Sequence, residues 1–183
     1  MPHLIAPDPR VRESFVQAQQ ECVAEGEASG VTLARELAEY GDSWHTESGF
    51  ARYLDALREE SEEEGRRPEG FVPATWWWYV EGDTYLGRIQ VRHRLTPFLR
   101  EFGGHIGYGV RPTARRRGHA TAMLRDVLPY ARELGLERVL VTCDASNTGS
   151  RKAIDANGGV GEGGQDGTLR YWVATQARIR DGL

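Results

Sequence analysis

The sequence predicts an α/β (α+β) fold with a mixed central sheet of about six or seven strands flanked by helices. Segments with a helical apolar period alternate with short runs rich in Val, Leu and aromatic residues, as expected for helices that separate strands. Two strand-like runs are joined by a tight turn, so the sheet must also contain an antiparallel pair. The chain has 183 residues, of which 39% are hydrophobic, and this predicts a single domain over residues 1–183.

The first seventy residues predict one short strand and two helices. Leu4 and Ile5 form the strand, and a helix follows from Val11 to Ala24. After a connection that contains Gly and acidic residues, the second helix is expected from Phe50 to Glu63. The acidic run from Glu59 to Glu64 predicts an exposed helix end, because charge runs usually face solvent.

A β-hairpin is predicted in the middle of the chain. Ala74–Val80 and Tyr85–His93 have strand character, and Gly82 lies in the turn between them. Successive side chains of a strand alternate between its two faces. One face then carries Trp76 and Trp78, and the other carries Trp77 and Tyr79. Helices are therefore expected on both sides of the sheet.

The second half of the chain predicts strands and helices in alternation. A helix follows Gly118, and its Pro129 predicts a kink or a break near Leu128. Asn147 and Ser150 open the next helix. The other expected elements are strands over His105–Val110, Leu136–Cys143 and Leu169–Val173, helix ends at Gly135 and at Asn157-Gly158-Gly159, and a glycine-rich loop from Gly161 to Gly167.

A basic turn that contains Gly118 connects the strand at His105–Val110 to the following helix. A helix N-terminus offers backbone N–H groups that lack intrahelical partners and carries a partial positive charge. Gly118 lets an anion approach the backbone closely, and the run Arg115–Arg117 can pair with phosphate oxygens. The turn therefore predicts a pyrophosphate site.

The stretch Arg115-Arg116-Arg117-Gly118-His119-Ala120 resembles the acetyl-CoA signature of the GNAT superfamily of N-acetyltransferases. That signature reads Arg or Gln, two residues, Gly, one residue, and then Gly or Ala. The resemblance extends from about Ala74 to Val173. It implies the GNAT fold with splayed fourth and fifth strands, acetyl-CoA as the co-substrate, and direct acetyl transfer to an amine of an unidentified small molecule or peptide. Family members often form homodimers.

The resemblance also implies which residues contact acetyl-CoA. The implied contacts are Tyr108, Gly109, Val110, Arg115, Arg116, Arg117, Gly118, His119, Ala120, Thr121, Asn147 and Ser150. The backbone from Tyr108 to Val110 would lie along the thioester, where its N–H groups could polarise the carbonyl. Asn147 and Ser150 have an equally good alternative role as helix caps.

The catalytic groups follow less directly from the resemblance. The glutamate base of some members falls near Gly104 here, and the tyrosine acid of many members falls at Ile154. The remaining candidates are His105 and Glu101 as the base, directly or through water, and Tyr108, Tyr171 or solvent as the acid. Residues such as His105 and Glu101 are more often structural polar residues than catalytic bases. Cys143 is expected to be a buried thiol and not a nucleophile, because no His and acid partner is near it in sequence.

The acceptor amine is the least constrained part of the prediction. The resemblance implies an acceptor pocket formed by the first two helices and the last two strands. Four polar residues beside the hairpin could line such a pocket or form an exposed, charged sheet edge. These residues are Arg92, His93, Arg94 and Glu101.

Composition narrows the function classes. A formal net charge of −4 argues against nucleic acid as a partner, although the cluster Arg115–Arg117 keeps a phosphate-binding alternative open. No run approaches the ~20 apolar residues of a membrane span. The two cysteines and the lack of a signal-peptide pattern predict a cytoplasmic protein, and five histidines without ligand spacing predict no metal. The departures at Gly104 and Ile154 leave a non-catalytic acyl-CoA-binding sensor as an alternative.

Overall fold

A computed structural model of the chain describes residues 1–26 and 31–175. Its strands are β1 His3–Ile5, β2 Ala74–Glu81, β3 Thr84–Arg92, β4 Ile106–Val110, β5 Arg138–Asp144, β6 Val160–Gln165 and β7 Thr168–Ala174. Its α-helices are α1 Arg12–Ala24, α2 Val31–Tyr40, α3 Glu47–Glu59, α4 Pro97–Phe102, α5 His119–Glu133 and α6 Thr148–Ala156. The strands form one sheet in the order β1-β2-β3-β4-β5-β7-β6, antiparallel except for the parallel pair β4–β5. The predicted mixed sheet is therefore confirmed.

Helices cover both faces of this sheet, and the hairpin strand β2 contributes to both cores. Trp76 and Trp78 pack with α1, α2 and α3 in an aromatic cluster, in which the rings of Phe15 and Trp78 stack at 4.9 Å between centroids. Trp77 and Tyr79 face the other core, which is built on α5 and α6. The predicted alternation of the aromatic side chains is confirmed, and the sheet is held between two separately packed layers.

Helix α5 runs without interruption from His119 to Glu133. Its apolar stripe of Met123, Leu124, Val127 and Ala131 is buried, whereas Pro129 lies on the exposed side. The predicted break near Leu128 is therefore wrong, because packing of the opposite face holds the helix together despite the backbone donor that proline lacks.

Three further elements differ from the sequence prediction. Helix α2 lies where a connection was expected, and its buried face includes Glu36, a charged residue that obscures the apolar pattern. The short helix α4 begins at Pro97, with Thr96 as its N-cap. The expected loop Gly161–Gly167 contains the edge strand β6, whose residues are all exposed and carry no period-2 signal.

The parallel strands β4 and β5 separate soon after they meet. Ile106 and Val141 form the registered pair between them in the described chain. Just before this point, the backbone N–H of His105 donates to the Leu140 carbonyl at 2.7 Å. Gly107 to Val110 pair instead with β3, on the opposite side of β4. The splayed fourth and fifth strands expected from the sequence are present and leave a cleft between them.

Candidate active site

The turn before α5 leaves the first amides of the helix open. Gly118 is the N-cap residue with φ +81°, and no side chain caps the helix there. The amides of His119, Ala120 and Thr121 therefore point out of the helix end without intrahelical acceptors. Arg116 also has a positive φ, of 60°, so the backbone turns sharply just before Gly118. Open amides at a helix N-terminus can bind an anion, so this turn is a candidate anion site.

Two acidic residues hold this turn in place: Glu21 in the last turn of α1 and Glu25, the C-cap of that helix. The Glu21 carboxylate accepts hydrogen bonds from Arg111 at 2.6 and 2.9 Å, and from the hydroxyl and amide of Thr113 at 2.9 and 3.3 Å. Glu25 pairs with Arg115 at 2.8 Å. The sequence offered no signal for these contacts, because about 90 residues separate the partners. These contacts connect α1, which packs on one face of the sheet, to the turn before α5, which packs on the other face.

We expect Glu21→Gln to weaken acetyl-CoA binding about tenfold, because the turn loses a charge-assisted anchor. Hydrogen bonds from Arg111 hold the pKa of Glu21 below its usual 4.5. A lowered pKa stabilises the fold above pH 4.5, and this contribution declines as the pH falls through the folded-state value. Calorimetric titration and acid-melting curves measure both effects. Glu13→Gln, an exposed change of equal charge on α1, should alter neither, and equal behaviour of the two variants would contradict the anchor.

Tyr108 and Ser150 meet across the cleft. The Tyr108 hydroxyl lies 2.6 Å from the Ser150 hydroxyl oxygen, and burial raises the pKa of this phenol. Asn147 is the N-cap of α6, and its side chain accepts the amide hydrogen of Ser150 at 3.0 Å. The capping role considered for Asn147 is therefore present. The phenol remains protonated at neutral pH, so it can donate a proton.

His105 and Glu101, the two base candidates, both have protein partners. The Nδ1 atom of His105 accepts the Leu140 amide hydrogen at 2.9 Å, and burial, with the charges of Arg92 and Arg100 as lesser causes, lowers its pKa to about 4. Glu101 forms an ion pair with Arg170. His105 thus joins β4 to β5 as a neutral ring, and Glu101 joins α4 to β7.

The two places where the sequence departs from the family pattern have clear structural causes. Gly104 has φ +63°, and an added Cβ would lie 2.4 Å from the Leu140 carbonyl oxygen, so no side chain fits there. Ile154 lies on α6, is fully buried, and packs in the core with the apolar residues of α5. Neither position can supply a proton-transfer group to the cleft.

Cys143 and Tyr171 lie on the neighbouring strands β5 and β7. Cys143 is buried on β5, and burial raises the pKa of its thiol. Tyr171 on β7 is half-buried against the same core. A thiol with a raised pKa is a poor nucleophile at neutral pH, as predicted from its apolar surroundings.

Tyr108 lies on one face of β4. On the opposite face, the positions of Gly107 and Gly109 carry no side chain, so the backbone is bare there. An added Cβ at Gly109 would meet nothing within 4 Å. At Gly107 the space is bounded by Gln90 and Arg92 of β3, whose terminal nitrogens lie 3.2 and 3.6 Å from that position. A second reactant can therefore reach the β4 backbone from the face opposite Tyr108. Arg92 was among the predicted acceptor-site residues, whereas Gln90 was missed because it lies within a strand pattern.

The described residues contain neither a metal-binding cluster nor a membrane-spanning helix. Within residues 1–26 and 31–175, no group of three or more His, Cys, Asp or Glu side chains is placed to hold a metal ion. In the same residues, every helix is too short or too polar to span a bilayer.

Comparison with solved structures shows the same fold in several acetyltransferases. Mycobacterium smegmatis RimJ in complex with a CoA-disulfide is 19% identical, with a TM-score of 0.65 over 94% of this chain and 81% of that one. The microcin C7 self-immunity acetyltransferase MccE, in complex with acetyl-CoA and AMP, is 12% identical, with a TM-score of 0.64 over 94% and 92%. RimL, a ribosomal L7/L12 alpha-N-protein acetyltransferase in complex with coenzyme A, is 16% identical, with a TM-score of 0.63 over 94% and 93%.

The family assignment comes from the sequence match. The family model for the acetyltransferase (GNAT) domain matches residues 27–160. A search of curated proteins gave no match. The matched range includes the splayed strands, the turn at Gly118 and α6, and it spans well over half of the chain. The protein therefore belongs to the GNAT acetyltransferase family.

Proposed function

We propose that this protein is an acetyl-CoA-dependent N-acetyltransferase that transfers the acetyl group directly to an amine. The observation that carries the proposal is the uncapped N-terminus of α5 at Gly118, placed beside the cleft between β4 and β5. Three solved neighbours with this fold are described as complexes with acetyl-CoA, a CoA-disulfide or coenzyme A. We treat residues 1–183 as one domain, since both helical layers pack on a single sheet.

In this proposal the turn holds the pyrophosphate of acetyl-CoA. The amides of His119, Ala120 and Thr121 bind phosphate oxygens, and the exposed side chains of Arg116 and Arg117 add charge. The pantetheine arm enters the cleft, with the β4 backbone from Tyr108 to Val110 on one side and the start of α6 on the other. The N-terminus of α5 thus positions the phosphate-binding amides, and contacts with Glu21 and Glu25 hold the turn that precedes them.

The chemistry requires a held carbonyl and two proton transfers. The amine nitrogen attacks the thioester carbon from the bare face of Gly107 and Gly109, and the backbone amides of β4 stabilise the developing oxyanion. The new C–N bond forms as the C–S bond breaks, the thiolate takes the proton of the Tyr108 hydroxyl, and solvent returns a proton to the phenolate. We assign loss of the amine proton to solvent, because His105 is neutral with its Nδ1 occupied and Glu101 is in an ion pair.

The first experiment measures acetyl-CoA binding and thiol release separately. Acetyl-CoA should raise the melting temperature, and acetate with inorganic phosphate should not. Release of free CoA across a panel of amines then tests transfer. Binding without release on any amine would favour the sensor alternative, and absence of binding would refute the proposal.

We expect Tyr108→Phe to lower kcat about a hundredfold, because the departing thiolate loses its positioned acid. The melting-temperature shift with acetyl-CoA should stay the same, since the phenol does not hold the pyrophosphate. Tyr130→Phe removes a hydroxyl from an exposed residue of α5 and serves as the control. An unchanged kcat in Tyr108→Phe would assign protonation of the thiolate to solvent instead.

A further inference from the structure

A cavity of about 420 Å³ lies between α2, α4 and the strands β2 and β3, and its wall residue Gln90 pairs in register with Gly107 on the bare face of β4. Its wall is mainly apolar and aromatic. The aromatic members are Phe71, Trp76, Phe98 and Phe102. Phe71, Phe98 and Phe102 are 49%, 68% and 42% exposed, although large aromatic side chains usually bury their surface. Exposed aromatic residues that converge on one cavity indicate a surface that an apolar group of a ligand would cover.

Gln90 lies at the inner end of this cavity and lacks a protein partner. The residue is 8% exposed, and its carboxamide forms no hydrogen bond with any residue in the described part of the chain. The amide is not among the fully enclosed polar groups that lack a partner, so it opens onto the cavity, where it can donate and accept hydrogen bonds. The amide nitrogen lies 3.2 Å from the position of a Cβ on Gly107. Gln90 is therefore placed to bind a ligand group beside β4.

Arg92 stands next to Gln90 and is also incompletely paired. Its Nη1 atom donates to the carbonyls of Gly103 and Gly104 at 3.0 and 3.1 Å, and Nη2 lies 3.6 Å from the Cβ position on Gly107. Arg92 forms no ion pair closer than 4.0 Å within residues 1–26 and 31–175; burial lowers its pKa, and the Glu60 carboxylate, as the lesser cause, raises it. Its Nη2 atom, which lies beside Gly107, can donate to an anionic or carbonyl oxygen in the cavity.

The other charges of the cavity wall do not favour a cationic ligand. Arg35, Arg67 and Arg92 line it together with Glu60 and Glu69. The Glu60 carboxylate already accepts hydrogen bonds from Arg35 at 2.9 Å and from the Trp76 indole at 2.7 Å. Arg35 and Glu60 neutralise each other, which leaves Arg67 and Arg92 against Glu69, and this excess of one positive charge disfavours polyamines and lysine-like side chains.

We infer that this cavity selects the acceptor as an α-amine beside a carbonyl or carboxylate, on a residue with a bulky apolar side chain. The inference rests on the proposed function. The apolar side chain fills the aromatic cavity, the carbonyl or carboxylate oxygen binds Gln90 and Arg92, and the amine reaches the thioester past Gly107. A free amino acid and a peptide N-terminus both carry this chemistry, and the size of about 420 Å³ suits one such residue.

The test compares acceptors that differ by one group each. L-phenylalaninamide should exceed both glycinamide, which lacks the apolar group, and phenethylamine, which lacks the carbonyl, by about tenfold or more in kcat/KM. L-phenylalanine and the tripeptide of phenylalanine with two glycines separate the sources. A faster free amino acid identifies a carboxylate, and a faster tripeptide identifies a peptide N-terminus. Equal or better use of glycinamide would overturn the inference while leaving the proposed function standing.

Two variants test the cavity residues. Gln90→Met keeps the length of the side chain and removes the amide, so KM for L-phenylalaninamide should rise about tenfold with KM for acetyl-CoA unchanged. Phe98→Ala changes an exposed side chain and should reduce the preference for phenylalaninamide over glycinamide by a similar factor of about ten. Leu134→Ala, an equally simple truncation at the far end of α5, should change neither value. Unchanged kinetics in both cavity variants would overturn the assignment of this cavity.

A binding measurement separates this inference from catalysis. Calorimetry with N-acetyl-L-phenylalanine, the expected product, should show binding that Phe98→Ala and Gln90→Met weaken, and N-acetylglycine should bind more weakly. Such binding in a protein that releases no CoA would support the cavity and refute the proposed transfer. Equal binding of the two N-acetyl compounds would refute the cavity whether or not transfer occurs.

Discussion

Gly118→Glu should abolish the stabilisation of this protein by acetyl-CoA and raise the dissociation constant about a hundredfold or more. The change places a carboxylate at the open amides of His119, Ala120 and Thr121, where the pyrophosphate is expected to bind. Charge-assisted hydrogen bonds contribute about 1.5–3 kcal/mol each, so loss of two is sufficient for this effect. Titration calorimetry and melting curves with and without acetyl-CoA measure it.

Gly135 provides a matched control at the other end of the same helix. Both glycines have a left-handed backbone, with φ +81° at Gly118 and +85° at Gly135, and an added Cβ meets nothing within 4 Å at either. Gly118→Glu and Gly135→Glu therefore impose a similar backbone strain, of about 1–2 kcal/mol. Gly135→Glu should lower the melting temperature and retain acetyl-CoA binding. Loss of binding in both variants would show that strain, and not the helix end, is responsible.

Glu36→Ala should cause the largest loss of folding stability among single changes of charge, about 3–5 kcal/mol. Glu36 is 2% exposed, and Arg88 donates to its two carboxylate oxygens at 2.9 and 2.7 Å. The Tyr53 hydroxyl donates to the same carboxylate, and Arg88 lies over the Trp76 ring at 4.9 Å. Truncation of Glu36 leaves the Arg88 charge buried without its partner. Urea unfolding measures the loss.

The double variant Glu36→Leu with Arg88→Met tests whether unpaired charge is the cause. Removal of both charges, with apolar groups of similar volume in their place, should recover most of the stability lost in Glu36→Ala. Asp55→Ala breaks an exposed pair with Arg58 on α3 and should have a far smaller effect. If the double variant is as unstable as Glu36→Ala, the loss arises from packing around α2 and not from electrostatics. Because Arg88 pairs in register with Gly109, loss of this network would also loosen β4.

Local patterns were sufficient for the parts of the fold and the site that depend on neighbouring residues. The apolar stripe of α5, the alternation of the aromatic residues in β2 and the turn at Gly118 each lie within one short stretch of sequence. The sequence did not predict helix α2 or strand β6, for two different reasons. Glu36 interrupts the apolar face of α2 because its charge is compensated by Arg88, 52 residues away. Strand β6 is exposed throughout, so its hydrogen bonds to β7 leave no hydrophobic pattern.

The proton-transfer candidates show why side-chain roles need the tertiary structure. His105, Glu101 and Tyr108 are titratable residues close together in sequence, and sequence alone gave them similar standing. The fold gives His105 a low pKa and a backbone partner, and it gives Glu101 an arginine from β7. Of the three, Tyr108 contacts α6 across the cleft, where its hydroxyl forms a hydrogen bond with the Ser150 hydroxyl. A side chain's charge and direction depend on partners that sequence spacing does not reveal.

The sequence by itself determined the fold class, the family resemblance and the glycine turn at the start of α5, where we propose that the pyrophosphate binds, since a helix end and its glycine depend on adjacent backbone. Only the tertiary structure decided what surrounds that site. It placed Glu21 behind the turn, Gly104 against the Leu140 carbonyl, and a cavity lined by Gln90 and Arg92 beside Gly107 of β4. These features depend on contacts between distant segments, and burial gives such contacts their energy.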